Sequence, residues 1–234
     1  MVMLMAAALV FLAIHLLISG TRVRDVLTGA IGERAYMGLF SLASVVVIAW
    51  LCIAYNMAQS SAQNTFLYDL GPAVRDLGIP LVLLAFLIGV PGLMMPNPTS
   101  VGQAGAVAND VHGILRVTRH PFLWSVAIWA GFHLLANGDL ASVILFGTFF
   151  VLALSGTASI DAKRKRKLGA AWDAFAARTS NVPFAAIAAG RNQLKLGEYL
   201  DWRFFTALAI FLVVLFAHAR IFSVSPFPSG WVPF

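Results

Sequence analysis

The chain has 234 residues, of which 60% are hydrophobic and only 11% charged, with a net charge of +6 and a mean hydropathy of +0.84. Soluble domains carry roughly a quarter of their residues as charges, so a water-soluble fold is excluded and one integral membrane domain over residues 1–234 is expected. The basic residues sit in short loops between apolar runs, which points to lipid headgroups and topology rather than to nucleic acid.

Six apolar runs read as membrane-spanning helices, at 1–19, 36–58, 77–95, 121–136, 140–160 and 204–219. The expected fold is therefore an all-α polytopic bundle of about six spans. The first run lacks a basic leader and a small-x-small cleavage site, so it reads as a span rather than a signal peptide. Cys52, the sole cysteine, lies within the second run and rules out an intrachain disulfide or a CxxC metal site. Pro91 is expected to kink or end the third span, and Pro121 to open the fourth.

The loops after spans one, three and five carry 14 Lys and Arg residues, against only Arg75 in the loops after spans two and four. The positive-inside rule makes the odd loops cytoplasmic and puts both termini on the outer side of a bacterial inner membrane. In the last basic loop, Leu168, Trp172, Phe175 and Ala176 recur at helical spacing, which predicts an amphipathic helix in the headgroup layer. The segment VPFAAIAAG after it is too short to span and is expected to dip into the interface. The Pro-rich tail is expected to be extended, with Trp231 at the outer interface.

His15, His133 and His218 lie inside spans with no acidic residue beside them. An imidazole in hydrocarbon either hydrogen-bonds between helices or ligates something, and a proton relay would need Asp or Glu at depth. Two imidazoles on facing helices could bind a haem iron axially. Ala130 and Gly131 would let a flat macrocycle approach His133, or would serve plain helix packing. Arg116 and Arg119 share one face of a short helix and could clamp propionates, phosphate or a cofactor carboxylate. His120, just before Pro121, could cap span four or touch a ligand, while His112 is expected to be solvated. His15 lies near the cytoplasmic end of its span, whereas His133 lies about 18 Å into span four. His133 and His218 agree better in depth.

The runs IGER, GILRVTRHPFLWSVAIWAGFHLLANGD and GAAWDAFAARTSNVPFAAIAAGR, in that order, resemble the NnrU family, which includes the 15-cis-ζ-carotene isomerases. That resemblance implies a membrane haem b protein with bis-histidine ligation by His15 and His133, with His218 as an alternative ligand. It also implies a hydrophobic polyene substrate and cis–trans isomerisation, or else an accessory role in denitrification. In the plant isomerases a Cys near the second ligand is associated with ligand exchange; Ala130 stands there, which removes thiolate switching. The same RHP and GxxWxxFxxR-like landmarks resemble membrane methyltransferases that use S-adenosylmethionine, but only Asp161 stands where those carry an acidic pair.

Overall fold

The computed structural model describes residues 1–227, so Trp231 and its expected interfacial position lie outside the described residues. Ten α-helices are formed among the described residues: α1 (Val2–Ala13), α2 (Val23–Ile31), α3 (Glu33–Gln59), α4 (Pro72–Asp76), α5 (Gly78–Met94), α6 (Pro121–Ala136), α7 (Leu140–Leu168), α8 (Ala170–Arg178), α9 (Ala185–Ala188) and α10 (Trp202–Phe222). No strand is present among the described residues, where β pairing amounts to an isolated bridge, Phe66 to Asp139. Four helical stretches are long and apolar enough to cross a membrane: Glu33–Gln59, Pro72–Met94, Leu140–Leu168 and Trp202–Phe222. A fifth is possible where Val2–Ile18 and Val23–Ile31 form a span broken by a 77° bend.

The expected run 121–136 is helical over those residues, but at 16 residues it extends only about 24 Å, short of a bilayer core of about 30 Å. Its neighbours explain how so short a helix is accommodated. On α5, a Cβ at Gly78 would lie 2.5 Å from Phe132, and one at Gly92 would lie 2.5 Å from Pro121; Gly89 sits equally tightly against Ser125. These three glycines bring α5 and α6 together along their whole shared length. On the other side, Gly131 of α6 meets Phe150 of α7 and Gly156 of α7 meets Leu123. Packing without large side chains is how apolar helices gain contact when the solvent is lipid.

A second layer is built by α1, α3 and α7. Leu4, Ala7 and Phe11 of α1, Leu51 and Ala58 of α3, and Ala141, Leu145 and Phe146 of α7 form one buried cluster, against which Trp129 of α6 packs. The end of this cluster near Asp139 is stitched by polar groups. Asp139 caps α7 by accepting from the Ser142 amide at 3.0 Å, and Gln59 donates to both Asp139 and Ser142 at 3.2 Å. Backbone bonds Leu67 to Gly138 and Leu140 to Thr65 pull the α3–α4 connection across the α6–α7 turn.

The opposite end is the basic one. There α8 forms as its spacing predicts, but its apolar face is turned onto protein. Trp172 and Phe175 are buried against Val111 and Leu115 in the α5–α6 connection, with Val107 and Leu168 beside them. The face expected to meet headgroups is thus used to hold the long connection down. VPFAAIAAG is anchored to the chain at two points, the buried Ala186 and the Phe184 amide, which donates to the Val117 carbonyl at 2.8 Å, while the Val182 and Phe184 side chains are left exposed.

Candidate functional site

Two assemblies collect the residues singled out by sequence, one at the basic end and one between the helices. The first centres on Arg119 and His120, at the start of α6. The Arg119 fork grips the Asp161 carboxylate of α7, Nε to Oδ1 at 2.9 Å and Nη2 to Oδ2 at 2.5 Å. His120 Nε2 reaches Oδ1 of the same carboxylate at 2.6 Å. Bidentate guanidinium–carboxylate pairs are the strong kind of charged hydrogen bond, and this one is sheltered: the Asp161 side chain is 19% exposed, Arg119 13% and His120 0%. With the carboxylate ionised by its arginine, Nε2 must carry the ring hydrogen. The remaining nitrogen, Nδ1, is buried and forms no hydrogen bond. Burial dominates and pushes His120 below the ordinary imidazole range, while the bond to Asp161 pulls it back up.

Hydrogen bonds to backbone carbonyls fix this knot from three directions. Asn97 and Thr99 donate to the Arg119 carbonyl at 3.2 and 2.9 Å. The Arg119 amide donates to Ser180 at 2.9 Å, and Thr118 and Trp124 both donate to the Asn181 carbonyl. RHP, RTSN and NPT, far apart in the chain, therefore close over one another. The Arg119 guanidinium also lies over the Trp172 ring, 5.8 Å from its centroid, tying α8 into the knot.

Arg116 makes a separate clasp. Its Nε and Nη2 hold the two Glu198 oxygens at 2.7 and 2.9 Å, and Nη1 donates to Asn192 at 2.8 Å. The Gly113 amide donates to the same carboxylate at 2.7 Å. Arg116, with the Gly113 amide, holds the Glu198 carboxyl well below the usual range, at about 2. With His112, Arg178 and Arg191 the clasp lines an open cleft of about 430 Å³. His112 itself is exposed, as expected. Both arginines proposed as ligand clamps thus have their forks on carboxylates of the chain.

The second assembly comprises the histidines. His15 sits on a wide π-helical turn, Ile14–Ile18, and its Nδ1 donates to the Phe11 carbonyl at 2.8 Å. His133 Nδ1 donates to Trp129 at 2.8 Å, and His218 Nδ1 to Val224 at 2.7 Å. Among the described residues none of the three Nε2 atoms is hydrogen-bonded, so each ring is oriented through one nitrogen and leaves the other available. A metal-bound imidazole needs this arrangement, so the donor chemistry fits haem ligation. His15 and His133 are joined by a chain of ring contacts through Phe11, Phe149 and Trp129, with centroids 4.4, 5.4, 5.8 and 5.0 Å apart in turn. His133 also stacks on Phe146 at 4.8 Å. His15 lies one turn, about 6 Å, beyond Phe11 toward the basic end. His218 is near enough to bear electrostatically on His133, and both stand near the ends of their helices. Ala130 and Gly131 are occupied by helix packing, with Ala130 fully buried and Gly131 against Phe150.

The sequence model described as NnrU protein matches residues 3–226. The chain belongs to the NnrU family. It is 25% identical over 219 residues to the chloroplastic 15-cis-zeta-carotene isomerase of Arabidopsis thaliana, a match covering 90% of this chain and 58% of that protein. It is 32% identical over 109 residues to the chloroplastic 15-cis-zeta-carotene isomerase of Zea mays, covering 45% of this chain and 30% of that protein. The chain therefore spans well under two thirds of the length of these curated relatives. No solved structure matches it.

In this NnrU chain RHP and RTSN meet in one knot, and IGER stands apart from it. IGER supplies Glu33, which pairs with Arg24 at 3.1 Å, and RHP and RTSN close around Asp161. The roles of Asp161 and Glu198 were missed by sequence reasoning. Their partners lie 42 and 82 positions away, and no local spacing links carboxylates to arginines over such distances. The amphipathic α2 was missed as well, although its signal was local: Val23, Val26, Leu27 and Ile31 share one helical face.

Proposed function

We propose that this NnrU chain is a six-span membrane haem b protein that catalyses cis–trans isomerisation of a hydrophobic conjugated polyene of the carotenoid type. The observation that carries the reading is His133: its Nδ1 is tethered to Trp129, its face is packed on Phe146, and its Nε2 is uncommitted in an apolar bundle. The named activity of the two isomerase relatives supplies the reaction class. The sixth span is α6, whose shortness is tolerable because α5 and α7 cover it, leaving only Phe122 and Leu135 exposed. The asymmetry of basic loops supports an inner-membrane orientation with the RHP end cytoplasmic and both termini outside.

When bound, haem supplies an iron centre able to contact a polyene and ease rotation about a double bond without net redox change. His133 would be one ligand, and His15 the second by family resemblance. Phe11, Phe149 and Trp129 fill the gap between them with a continuous chain of ring contacts, so a macrocycle held there would have to displace those rings. His218 is the alternative partner on the ground of its similar depth in its span and of the family resemblance. The carbonyl tethers fix the imidazole orientations, and the aromatic wall excludes water. Arg119 and His120 tie the start of α6 to Asp161 of α7, and Arg116 ties the α5–α6 connection to Glu198. The methyltransferase reading is disfavoured because the Asp161 oxygens are taken up by Arg119 and His120, leaving them unavailable to a cofactor amino group.

The protein purified in mild detergent after haem-sufficient expression is expected to show a Soret band. Its low-spin character should be lost in His133→Ala and His15→Ala and kept in His218→Ala. The reverse pattern for the last two would transfer the second ligand to His218, and no Soret band at all would sink the haem reading. Incubation with 15-cis-ζ-carotene, followed by chromatography of the isomers, tests the reaction.

A further inference from the structure

After Ile18 the chain turns through 77° and runs across the bundle end as α2. On a helical projection, Val23, Val26, Leu27, Ala30 and Ile31 fall on one side, and Arg24, Asp25 and Thr28 on the other. The apolar side is not used by the protein: Val26 is 71% exposed, and Val23, Leu27 and Ile31 are exposed with it. A helix of this kind at the end of a set of apolar spans lies along the headgroup layer, apolar side toward the acyl chains.

Its polar side meets a second element that brings positive charge from 140 residues away. The end of α7 carries Lys163 to Lys167 beyond the length needed to cross a bilayer. The Lys163 ammonium donates to the Ser19 carbonyl at 3.0 Å, which locks the α1–α2 bend against α7. Arg164 donates to Ser100 at 2.7 Å, and Lys167 lies 3.8 Å from Glu33. Arg24 is held by Glu33 and by the Tyr36 ring, 5.5 Å from its centroid. Arg24, Arg164 and Arg166 all act electrostatically on Lys163, so these cations share one field. The carboxylates facing them are Asp25 and Glu33, fewer than the cations they would have to neutralise.

Concentrated positive charge with too few anions attracts a negatively charged ligand, and the exposed apolar strip beside it demands that the ligand carry a tail. A free phosphate would satisfy the cations and leave Val26 exposed. A zwitterionic lipid would cover Val26 and bring no net charge. We propose that α2 and the end of α7 form a binding site for an anionic phospholipid. Its phosphate lies among Arg24, Lys163 and Arg166, and its acyl chains lie along Val23, Val26 and Leu27. The site binds independently of any cofactor held by the histidines.

The test uses the full chain in dodecyl maltoside. Phosphatidylglycerol, phosphatidylcholine and inorganic phosphate are added separately, bound lipid is counted by native mass spectrometry, and the thermal midpoint is recorded. Phosphatidylglycerol alone is expected to remain bound and to raise the midpoint. Arg24→Gln and Arg166→Gln should each weaken its binding about fivefold, in line with the attraction between one surface cation and an anionic leaflet. Val26→Asp, at an exposed position that the fold does not need, should weaken it too. Equal binding of phosphatidylcholine, or unchanged phosphatidylglycerol binding in the Arg24→Gln/Arg166→Gln double variant, would overturn the proposal. So would a concentration-dependent dimer that Val26→Asp abolishes, which would assign the strip to a second copy of the chain.

Discussion

Asp161→Asn replaces a carboxylate by its nearest isostere and leaves the volume of the knot unchanged, so it isolates the charge. In the native structure the carboxylate accepts from Arg119 through two nitrogens, from His120 at 2.6 Å and from Asn181 at 3.4 Å. The amide keeps one accepting oxygen. Its NH2 group then faces either the guanidinium or the imidazole N–H, donor against donor. Two charge-assisted bonds are lost, each worth about 1.5–3 kcal/mol, with partial recovery through the oxygen that remains. Removing one partner of a sheltered ion pair costs about 3–5 kcal/mol, and the lower end suits a carboxylate with 19% of its side chain exposed. For a chain of this size about 3 kcal/mol corresponds to a fall of about 6–12 °C in the thermal midpoint, read by scanning fluorimetry of the detergent-solubilised protein. The cost should add poorly to that of Arg119→Gln, because the second change removes the donor that the first leaves stranded. A fall of less than about 2 °C would refute the reasoning, since it would mean that water replaces the carboxylate freely at a site described as closed.

The Arg116–Glu198 clasp carries a pH signature. Glu198 is depressed from its ordinary value of about 4.5 to about 2 in the folded protein, so its stabilising contribution is fully present above about 4.5 and is lost as the pH falls toward 2. Glu198→Gln should lower stability most in the neutral region, where the contribution is fully present, and flatten the acid limb, so that the variant and native stability-versus-pH curves converge toward pH 2. At the opposite end, a methyl group at Gly138 would collide with the Tyr68 carbonyl. Gly138→Ala is therefore expected to destabilise by about 1–3 kcal/mol, measured as a lower thermal midpoint. Trp172→Ala removes a buried ring that packs on Phe175 and supports Arg119. A loss of about 3–5 kcal/mol is expected, accompanied by faster proteolysis of residues 99–116 as the long connection lifts.

What could be read from the sequence followed from how local the signal was. The apolar runs marked the major helices because a run of some twenty apolar residues carries its own meaning in a membrane. Run 140–160 grew to Leu168 because KRKRK continues the helix past the apolar stretch. The Trp172 and Phe175 spacing announced α8, yet spacing does not say what an apolar face meets, and here it meets Val111 and Leu115. The histidines were found because they are conspicuous in apolar surroundings, and the Nδ1 tethers of His15 and His133 could have been anticipated for residues four positions past a helical carbonyl, whereas that of His218 runs six positions forward to Val224. Arg116 and Arg119 looked free for a ligand because Glu198 and Asp161 stand on other elements, and only the fold brings them together.

The two walls around His133 differ in mechanical character from the wall around His15. Glycine contacts press α6 between α5 and α7 along its length, whereas His15 rides on a turn whose Ser19 amide reaches back five residues to Ile14 at 3.0 Å and which ends at the 77° bend. Such widened turns give way more readily than regular helix. Amide hydrogen exchange should therefore be slowest in α6 and its two neighbours and fastest from Ile14 to Gly20. His133 is thus held against a rigid wall and His15 against a compliant one.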